Sequence, residues 1–509
     1  MNFLVKLSEI NDAINNFVWV KVGLVLLIGT GILMTVLLKF FQVTHIGHWL
    51  KKTVGSVLKK DSRKKKDEKS VSQFQALCTA LAATIGTGNI AGVATAIVLG
   101  GPGAVFWMWV AAFLGMMTNF SENVLGIFYR RRNAQGEWSG GPMYYLKDGL
   151  GKATGYETIG KVLAVLFSIF AILASFGIGN MGQVNKITLN IKSAFFANTE
   201  PVYVFGEIEL IPLIIGVLLT IVGALIILGG LNRIAVVAET VVPFMALAYV
   251  VGALIVCLSN FGDIIPAFLS IFRFAFGVKA IGGAAVGIAI KEVITQGCKR
   301  GVFSNEAGLG SSVMVHSNSD VVEPVKQGLW GIFEVFADTF VVCTMTAIVV
   351  LTSGFIDLET GLPVEGADDA TLVAQTFGKT FGQAGEWFIA IAMLLFAFTT
   401  VLGWSHYGGK AVEYLFGAVA SKVYKVFFVL MIVSGALMTS SLAWDISDTF
   451  NGLMMMPNLI GVVALSPVVV RITRNYIARK IKGEEIEPVL SFDPEIQKEA
   501  AKAVAEGRE

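Results

Sequence analysis

Charge is the scarce commodity in this chain: Asp, Glu, Lys and Arg make up 15% of its 509 residues, hydrophobic residues make up 55%, and the mean hydropathy is +0.71. A soluble domain carries about a quarter charged residues, so a soluble fold is excluded. The net charge of +2 gives no reason to expect a polyanionic partner, and nucleic acid is not implied. Cysteine is also sparse. Cys78, Cys257, Cys298 and Cys343 contain no Cys-x-x-Cys pair and sit in or beside apolar segments, which excludes a disulfide framework and a zinc site. The four histidines, His45, His48, His316 and His406, fall in loops or at span ends. With no nucleophile elbow and no metal-ligand spacing, neither an enzyme nor a cofactor is expected. A cleavable leader is lacking too. Lys6, Glu9, Asp12 and Lys21 precede the apolar run 22–38 without a basic start or a small-residue cleavage site, so the run reads as a retained transmembrane helix.

What the chain does have is long apolar runs. A helix crossing a bilayer needs about 20 of them in a row, because its backbone must satisfy itself there. Eleven segments qualify, near residues 18–43, 71–99, 103–129, 158–190, 209–230, 232–258, 264–297, 326–353, 384–413, 423–440 and 443–470. Lys and Arg crowd alternate loops, at 51–69, 130–132, 233, 299–300 and 471–482, while the loop before 384 carries Asp357, Glu359, Glu365, Asp368 and Asp369. Basic loops stay cytoplasmic, so the N-terminus is expected outside and the C-terminus inside a multi-pass membrane protein.

Two spans are interrupted by glycine. Gly86, Gly88 and Gly92 sit in the second, around Thr87; Gly277, Gly282 and Gly283 sit in the seventh. Each glycine costs a helix about 1 kcal/mol relative to alanine, and broken backbone at membrane depth is tolerated only where it lines a cavity or ligand. Close helix packing through small residues is the competing explanation. The two broken spans open two five-helix blocks of opposite direction, which points to an inverted-repeat transporter with its site at mid-membrane. The spacing Gly86-x-Gly88 to Gly92 does not fit a dinucleotide fingerprint, and no strand precedes it.

If the second span unwinds, the N–H groups of Thr87 and Gly88 open its second half and are placed to hold a substrate carboxylate. Carbonyls of Ala83 and Thr84, and those near Phe276 and Gly282 in the seventh span, are placed to take an ammonium. Gln183, a primary amide inside the fourth span, is either a ligand or structural glue. Phe276 and Trp404 are candidate walls of the side-chain pocket, although aromatics in spans also serve as packing. Glu122, Glu239, Lys291, Glu292, Glu334, Asp338, Asp445 and Asp448 all lie in or near spans, where each is costly unless paired or wetted.

Four stretches carry a resemblance: Gly86-Thr87-Gly88-Asn89-Ile90-Ala91-Gly92, Gly100-Gly101-Pro102-Gly103-Ala104 with Trp107-Met108-Trp109, Gly140-Gly141-Pro142-Met143-Tyr144-Tyr145, and Lys299 to Gly310 (KRGVFSNEAGLG). In these the chain resembles the alanine/glycine:cation symporter family of the amino acid-polyamine-organocation superfamily. The resemblance implies an all-α polytopic fold of the leucine-transporter type with 11 transmembrane helices. That is a 5+5 inverted repeat (71–258 and 259–470) after one extra N-terminal helix with its basic loop (1–70), then a cytoplasmic tail (471–509). It also implies sodium- or proton-driven symport of alanine or glycine at the plasma membrane. By the same resemblance, sodium is expected at the Thr399 and Thr400 hydroxyls with the carbonyls of Ala82 and Ile85, unless those threonines only bond back to their own helix. The Lys299 to Gly310 stretch is expected to be a cytoplasmic gate or hinge. A passive ion channel is the less favoured reading, since one asymmetric chain with internal repeats forms its own central site.

Overall fold

Backbone in an apolar setting has to bond to itself, and a helix does so within one segment. The computed structural model describes residues 3–58, 69–153, 155–204, 206–276, 290–367, 371–438 and 441–507, and nearly all of them are helical. In chain order we label α1 Lys6–Leu37, α2 Gln73–Thr84, α3 Gly88–Gly100, α4 Gly103–Phe128, α5 Glu157–Phe196, α6 Leu210–Ile227, α7 Gly230–Ser259, α8 Phe261–Arg273, α9 Ile290–Asn305, α10 Val313–His316, α11 Pro324–Leu351, α12 Leu372–Phe381, α13 Gln383–Ala436, α14 Ser441–Ala464, α15 Ser466–Lys480 and α16 Pro494–Ala505. Strand pairing among the described residues amounts to two hairpins of two-residue strands, Arg131–Arg132 with Trp138–Ser139 and Tyr203–Val204 with Ile208–Glu209, and the single bridges Val71 to Ser319 and Ile356 to Pro363.

Seven of these helices (α1, α4, α5, α6, α7, α11 and α13) are long and apolar enough to cross a membrane, and the bent pairs α2/α3 (54°) and α14/α15 (59°) bring the number to nine. The 54-residue α13 is two helices in effect, because Gly417 (φ 86°, ψ 174°) breaks it. Local chemistry explains the main boundaries. Ser72 and Gln75 cap α2 reciprocally, each side chain bonding the other's backbone N–H at 3.1 Å. Left-handed Gly101 (φ 71°) stops α3, and Pro102 starts α4 in the next breath of chain. The first span begins earlier than its hydropathy suggested, since helix already runs from Phe3.

The expected seventh span, 264–297, resolves into α8 and α9, and residues 277–289 between them lie outside the described residues. The glycine break expected at Gly277, Gly282 and Gly283 therefore also lies outside them. A second break is present further on. After Asn305 the backbone turns left-handed at Glu306 (φ 55°), Gly308 (φ 90°) and Gly310 (φ 75°) before α10 resumes.

This segment runs parallel to α4 along a seam of small residues. A Cβ added at Gly297 would strike the Ala104 carbonyl and Trp107; one at Gly115 would meet Ala307, and one at Gly126 would strike Val313. Lys299 and Arg300 therefore lie at the end of the bundle opposite Arg130–Arg132, and the break falls midway along α4. The expectation that Lys299–Arg300 and Arg130–Arg132 share one side is thereby overturned, while a hinge expected within Lys299 to Gly310 coincides with this break.

The C-terminal segment is a strap at the Arg130 end. Buried Arg479 grips buried Glu323 with both guanidinium nitrogens, at 2.6 and 2.9 Å. The Phe492 N–H donates to the Phe128 carbonyl at 3.0 Å, and its ring packs on Tyr129.

Candidate functional site

At the first break the helix stops at Thr84, Ile85 leaves helical geometry (φ −77°, ψ 88°), and a wide π turn, Gly88–Gly92, restarts the chain. Two further π turns flank the same region, Gly177–Met181 in α5 and Phe336–Cys343 in α11. Such widened turns free backbone groups and gather at functional sites. The freed groups here find side chains. Gly86 N–H donates to Asn89 Oδ1 at 2.9 Å and Thr87 N–H to Gln183 Oε1 at 3.3 Å, while Gln183 Nε2 returns to the Ile178 carbonyl at 3.1 Å. A Cβ at Gly86 would clash with Thr400 Oγ1 and crowd Gln183 Oε1, and one at Gly88 would sit tightly against the Phe303 ring and Ser304.

The two breaks face each other across a small cavity of about 10 Å³, lined by Ala83, Thr84, Gly86 and Gly88 from the first break, Phe303, Glu306 and Leu309 from the second, with Ile178, Gln183, Thr400, Trp404 and Asn451 around them. Glu306 brings the carboxylate. Its Oε1 accepts from Trp404 Nε1 at 2.9 Å and its Oε2 from Ser311 Oγ at 2.5 Å, so acid and indole hold each other in place. Beside the cavity lies a second polar knot, in which Asp338 accepts from Asn89 Nδ2 (2.6 Å), Ser304 Oγ (2.8 Å) and Thr339 Oγ1 (2.9 Å).

Of the residues singled out from the sequence, Ala83, Thr84, Gly88, Gln183 and Trp404 come together on this cavity. Thr87 sits on the break with its N–H given to Gln183 and its buried hydroxyl without a partner among the described residues. Phe276 stands elsewhere: it is 66% exposed and packs on the rings of Phe106 and Trp107. It does not wall this cavity, whose far side is built by the break at Glu306 to Gly310. Gly282 lies outside the described residues. Thr400 Oγ1 reaches the Ala82 carbonyl at 3.1 Å, whereas the Thr399 hydroxyl turns to the Phe396 carbonyl (2.9 Å) and the Met245 sulfur (3.8 Å). Ile85 supplies the non-helical residue next to that Ala82–Thr400 contact.

Sequence reading missed Phe303, Glu306 and Asp338 as members of the site. The signal was present as an acid followed by Gly308 and Gly310, whereas the glycines at 277–283, on which the expected break rested, lie outside the described residues.

Two broken helices meeting at a buried carboxylate suit a solute carrier, and comparison with known proteins decides which kind. The sodium:alanine symporter family matches residues 4–490. The chain belongs to that family. It is 44% identical to the sodium/alanine symporter AgcS of Methanococcus maripaludis over 91% of this chain and 96% of that protein. It is 36% identical to the probable sodium/glutamine symporter GlnT of Bacillus subtilis, over 94% of this chain and 92% of that one. Among solved structures, MhsT in complex with L-phenylalanine matches 80% of this chain and 99% of its own, with a TM-score of 0.53 at 14% identity. A sodium-coupled sialic acid symporter in a substrate-bound outward-open state matches 95% and 96%, with a TM-score of 0.52 at 12% identity. These likenesses place the fold with such transporters. As a member of the sodium:alanine symporter family, the chain is a multi-pass membrane transporter and not an enzyme.

Proposed function

We propose that the protein carries a small neutral amino acid, alanine or glycine, into the cell across the plasma membrane together with sodium. The observation that carries this reading is the cavity itself: two helix breaks, one buried carboxylate and a cramped apolar wall. A zwitterion entering such a place needs partners for both charges, since an unpaired buried charge costs several kcal/mol. Glu306, with the Ala83 and Thr84 carbonyls, offers an anionic side for the ammonium. The N–H groups of Gly88 and Thr87 open the second half-helix and offer a positive side for the carboxylate, with Gln183 yielding its bond to Thr87. Trp404, Phe303 and Ile178 line the cavity and keep it small, which favours a substrate with a small side chain.

For sodium, a hard cation that takes oxygen ligands, the Ala82 carbonyl and the Thr400 hydroxyl are already paired at 3.1 Å. The Asp338 knot, with Asn89, Ser304 and Thr339, offers a second oxygen-rich position.

The eleven-span arrangement belongs to the same reading. It follows when α13 is divided at Gly417, each bent pair is one span and α9 with its continuation is another. The first repeat then runs from α2 to α7 and the second from α9 to α14. An outside N-terminus and an inside C-terminus are supported by position: Asn15 and Trp19 meet Lys299 and Asp448 at one end, while the C-terminal strap meets Phe128 at the other.

The test is uptake of labelled alanine into proteoliposomes with and without an inward sodium gradient. Accumulation above equilibrium only with the gradient is expected. Equilibration alone would turn the reading towards a passive pore, and absence of alanine movement would end it.

A further inference from the structure

One group on the cavity wall has no part in the transport reading. Asn451 of α14 lines the cavity and is 1% exposed, yet its side-chain oxygen Oδ1 has no hydrogen-bond partner among the described residues. Native structures leave few buried polar atoms bare, and each one calls for a reason. The position of Asn451 is fixed from three sides. Four residues before it, Ser447 lies where a side chain at Gly177, in the π turn of α5, would begin. Seven residues after it, Asn458 crowds Gly310 and holds the Gly308 carbonyl at 2.8 Å, both in the second break. On the next face, Val18 and Trp19 of α1 close on Gly452. Residues 447, 451 and 458 fall on one stripe of a helix, so α14 is wedged between the π turn and the second break, with Asn451 held at the cavity between them.

The donor that Asn451 lacks does not come from the wall. The other side chains there with a proton to give have already given it: Thr84 Oγ1 to the Ala80 carbonyl at 3.2 Å, Gln183 Nε2 to the Ile178 carbonyl at 3.1 Å, Thr400 Oγ1 to the Ala82 and Phe396 carbonyls at 3.1 Å, and Trp404 Nε1 to Glu306 Oε1 at 2.9 Å. The donor has to arrive with the occupant. A zwitterionic alanine or glycine has N–H donors on its ammonium and nowhere else, since its carboxylate only accepts. Placement agrees with that chemistry. α14 packs on the second break, the side of the cavity where Glu306 brings negative charge, whereas the N–H groups of Thr87 and Gly88 belong to the first. The oxygen of the Asn451 amide, rather than its nitrogen, is therefore the end that suits this side.

We propose that Asn451 is a substrate-binding residue whose Oδ1 accepts one N–H of the amino acid's ammonium, and that it thereby selects primary α-amino acids over N-methylated ones. The assignment rests on the transport reading and adds to it a third partner for the ammonium, beside Glu306 and the carbonyls of Ala83 and Thr84. An ammonium has three N–H groups, so these partners use all three. Exchanging one hydrogen for a methyl group removes a donor, leaves the Asn451 oxygen bare and puts carbon where the amide stands. A site built to hydrogen-bond a donor rejects the analogue that lacks it more strongly than an apolar wall rejects a methylene.

Equilibrium binding to the purified full chain at saturating sodium, with alanine, N-methylalanine and 2-aminobutyrate as probes, reads the assignment without transport. The unaltered protein is expected to prefer alanine to N-methylalanine by at least about tenfold. In Asn451→Ala, alanine affinity is expected to fall about tenfold and 2-aminobutyrate with it, while N-methylalanine holds or improves, so that the preference all but disappears. A common loss for all three probes means that Asn451 only supports the fold or faces the carboxylate, and overturns the assignment. Relief of 2-aminobutyrate instead makes Asn451 a wall of the side-chain pocket and overturns it too, as does an unaltered protein that binds N-methylalanine as well as alanine. Thermal unfolding in detergent shows whether Asn451→Ala folds. If it does not, Asn451→Ser, which withdraws the oxygen but keeps a polar group, is expected to shift the same ratio in the same direction, and an unchanged ratio overturns the assignment. An unaltered protein that binds none of the three probes removes the transport reading itself, and the assignment with it.

Discussion

A hydroxyl in an apolar helix has a bond waiting at the carbonyl three or four residues back. Thr399 and Thr400 both take it, at Phe396, and only Thr400 adds a second oxygen across the helix interface, at Ala82. Thr400→Val should therefore raise the sodium concentration for half-maximal alanine uptake by about tenfold, which corresponds to about 1.4 kcal/mol. Thr399→Val should change it by less than about twofold. A sodium titration of uptake at saturating alanine separates them, and equal effects would remove the distinction. Glu306→Gln keeps the shape and one acceptor for Trp404 but loses the charge. A hydrogen bond to a charged group contributes about 1.5–3 kcal/mol, so alanine affinity measured by equilibrium binding should fall roughly tenfold to a hundredfold. Residue types alone went a long way towards this set. Gly86, Gly88 and Gln183 were legible because a glycine or an amide in an apolar run calls for a reason, whereas Thr400 came with the family resemblance and Trp404 as a candidate aromatic wall. Which face of the helix Thr399 occupies was not legible, since adjacent positions differ by about 100° and a boundary error of one residue exchanges them.

At the level of the element, the second break owes its shape to three left-handed residues in five. Gly308 (φ 90°) also has Leu27 and Leu459 where a side chain would begin, and its peptide is held by Asn458 Nδ2 at 2.8 Å and by Glu122. Gly354 has a similar φ of 75° with open space around it. Left-handed backbone costs a side-chain-bearing residue about 1–2 kcal/mol, so both alanine variants should lose stability. Gly308→Ala should lose more and should lose uptake as well. Thermal unfolding in detergent, followed beside transport, compares the two; a Gly354→Ala variant hurt as badly would mean that crowding at Gly308 counts for nothing. Apolar run length located α4, α6 and α7 within a few residues. It could not locate the break, because run length records where a chain is apolar and says nothing of where its backbone bonds are handed to side chains such as Glu122, Asn305 and Asn458.

For the molecule as a whole, the C-terminal segment was legible as a basic tail but not as a strap. No apolar periodicity announces a single buried pair such as Arg479–Glu323. Removing one member of a buried ion pair is costly, about 3–5 kcal/mol, whereas replacing both with apolar residues is often neutral. Arg479→Met should therefore lower the thermal unfolding temperature sharply, and the double variant Arg479→Met with Glu323→Leu should recover most of it. Failure of the double variant to recover would place the strap's contribution outside this pair. The seam between α4 and the α9–α10 segment has a consequence of its own. Gly297 lying on the Ala104 backbone, with Gly115 and Gly126 against the Ala307 and Val313 side chains, makes a joint with little slack, since sliding by one turn, about 5.4 Å, would drive side chains into space that now admits only a hydrogen atom. The two rods must then travel as a single plank.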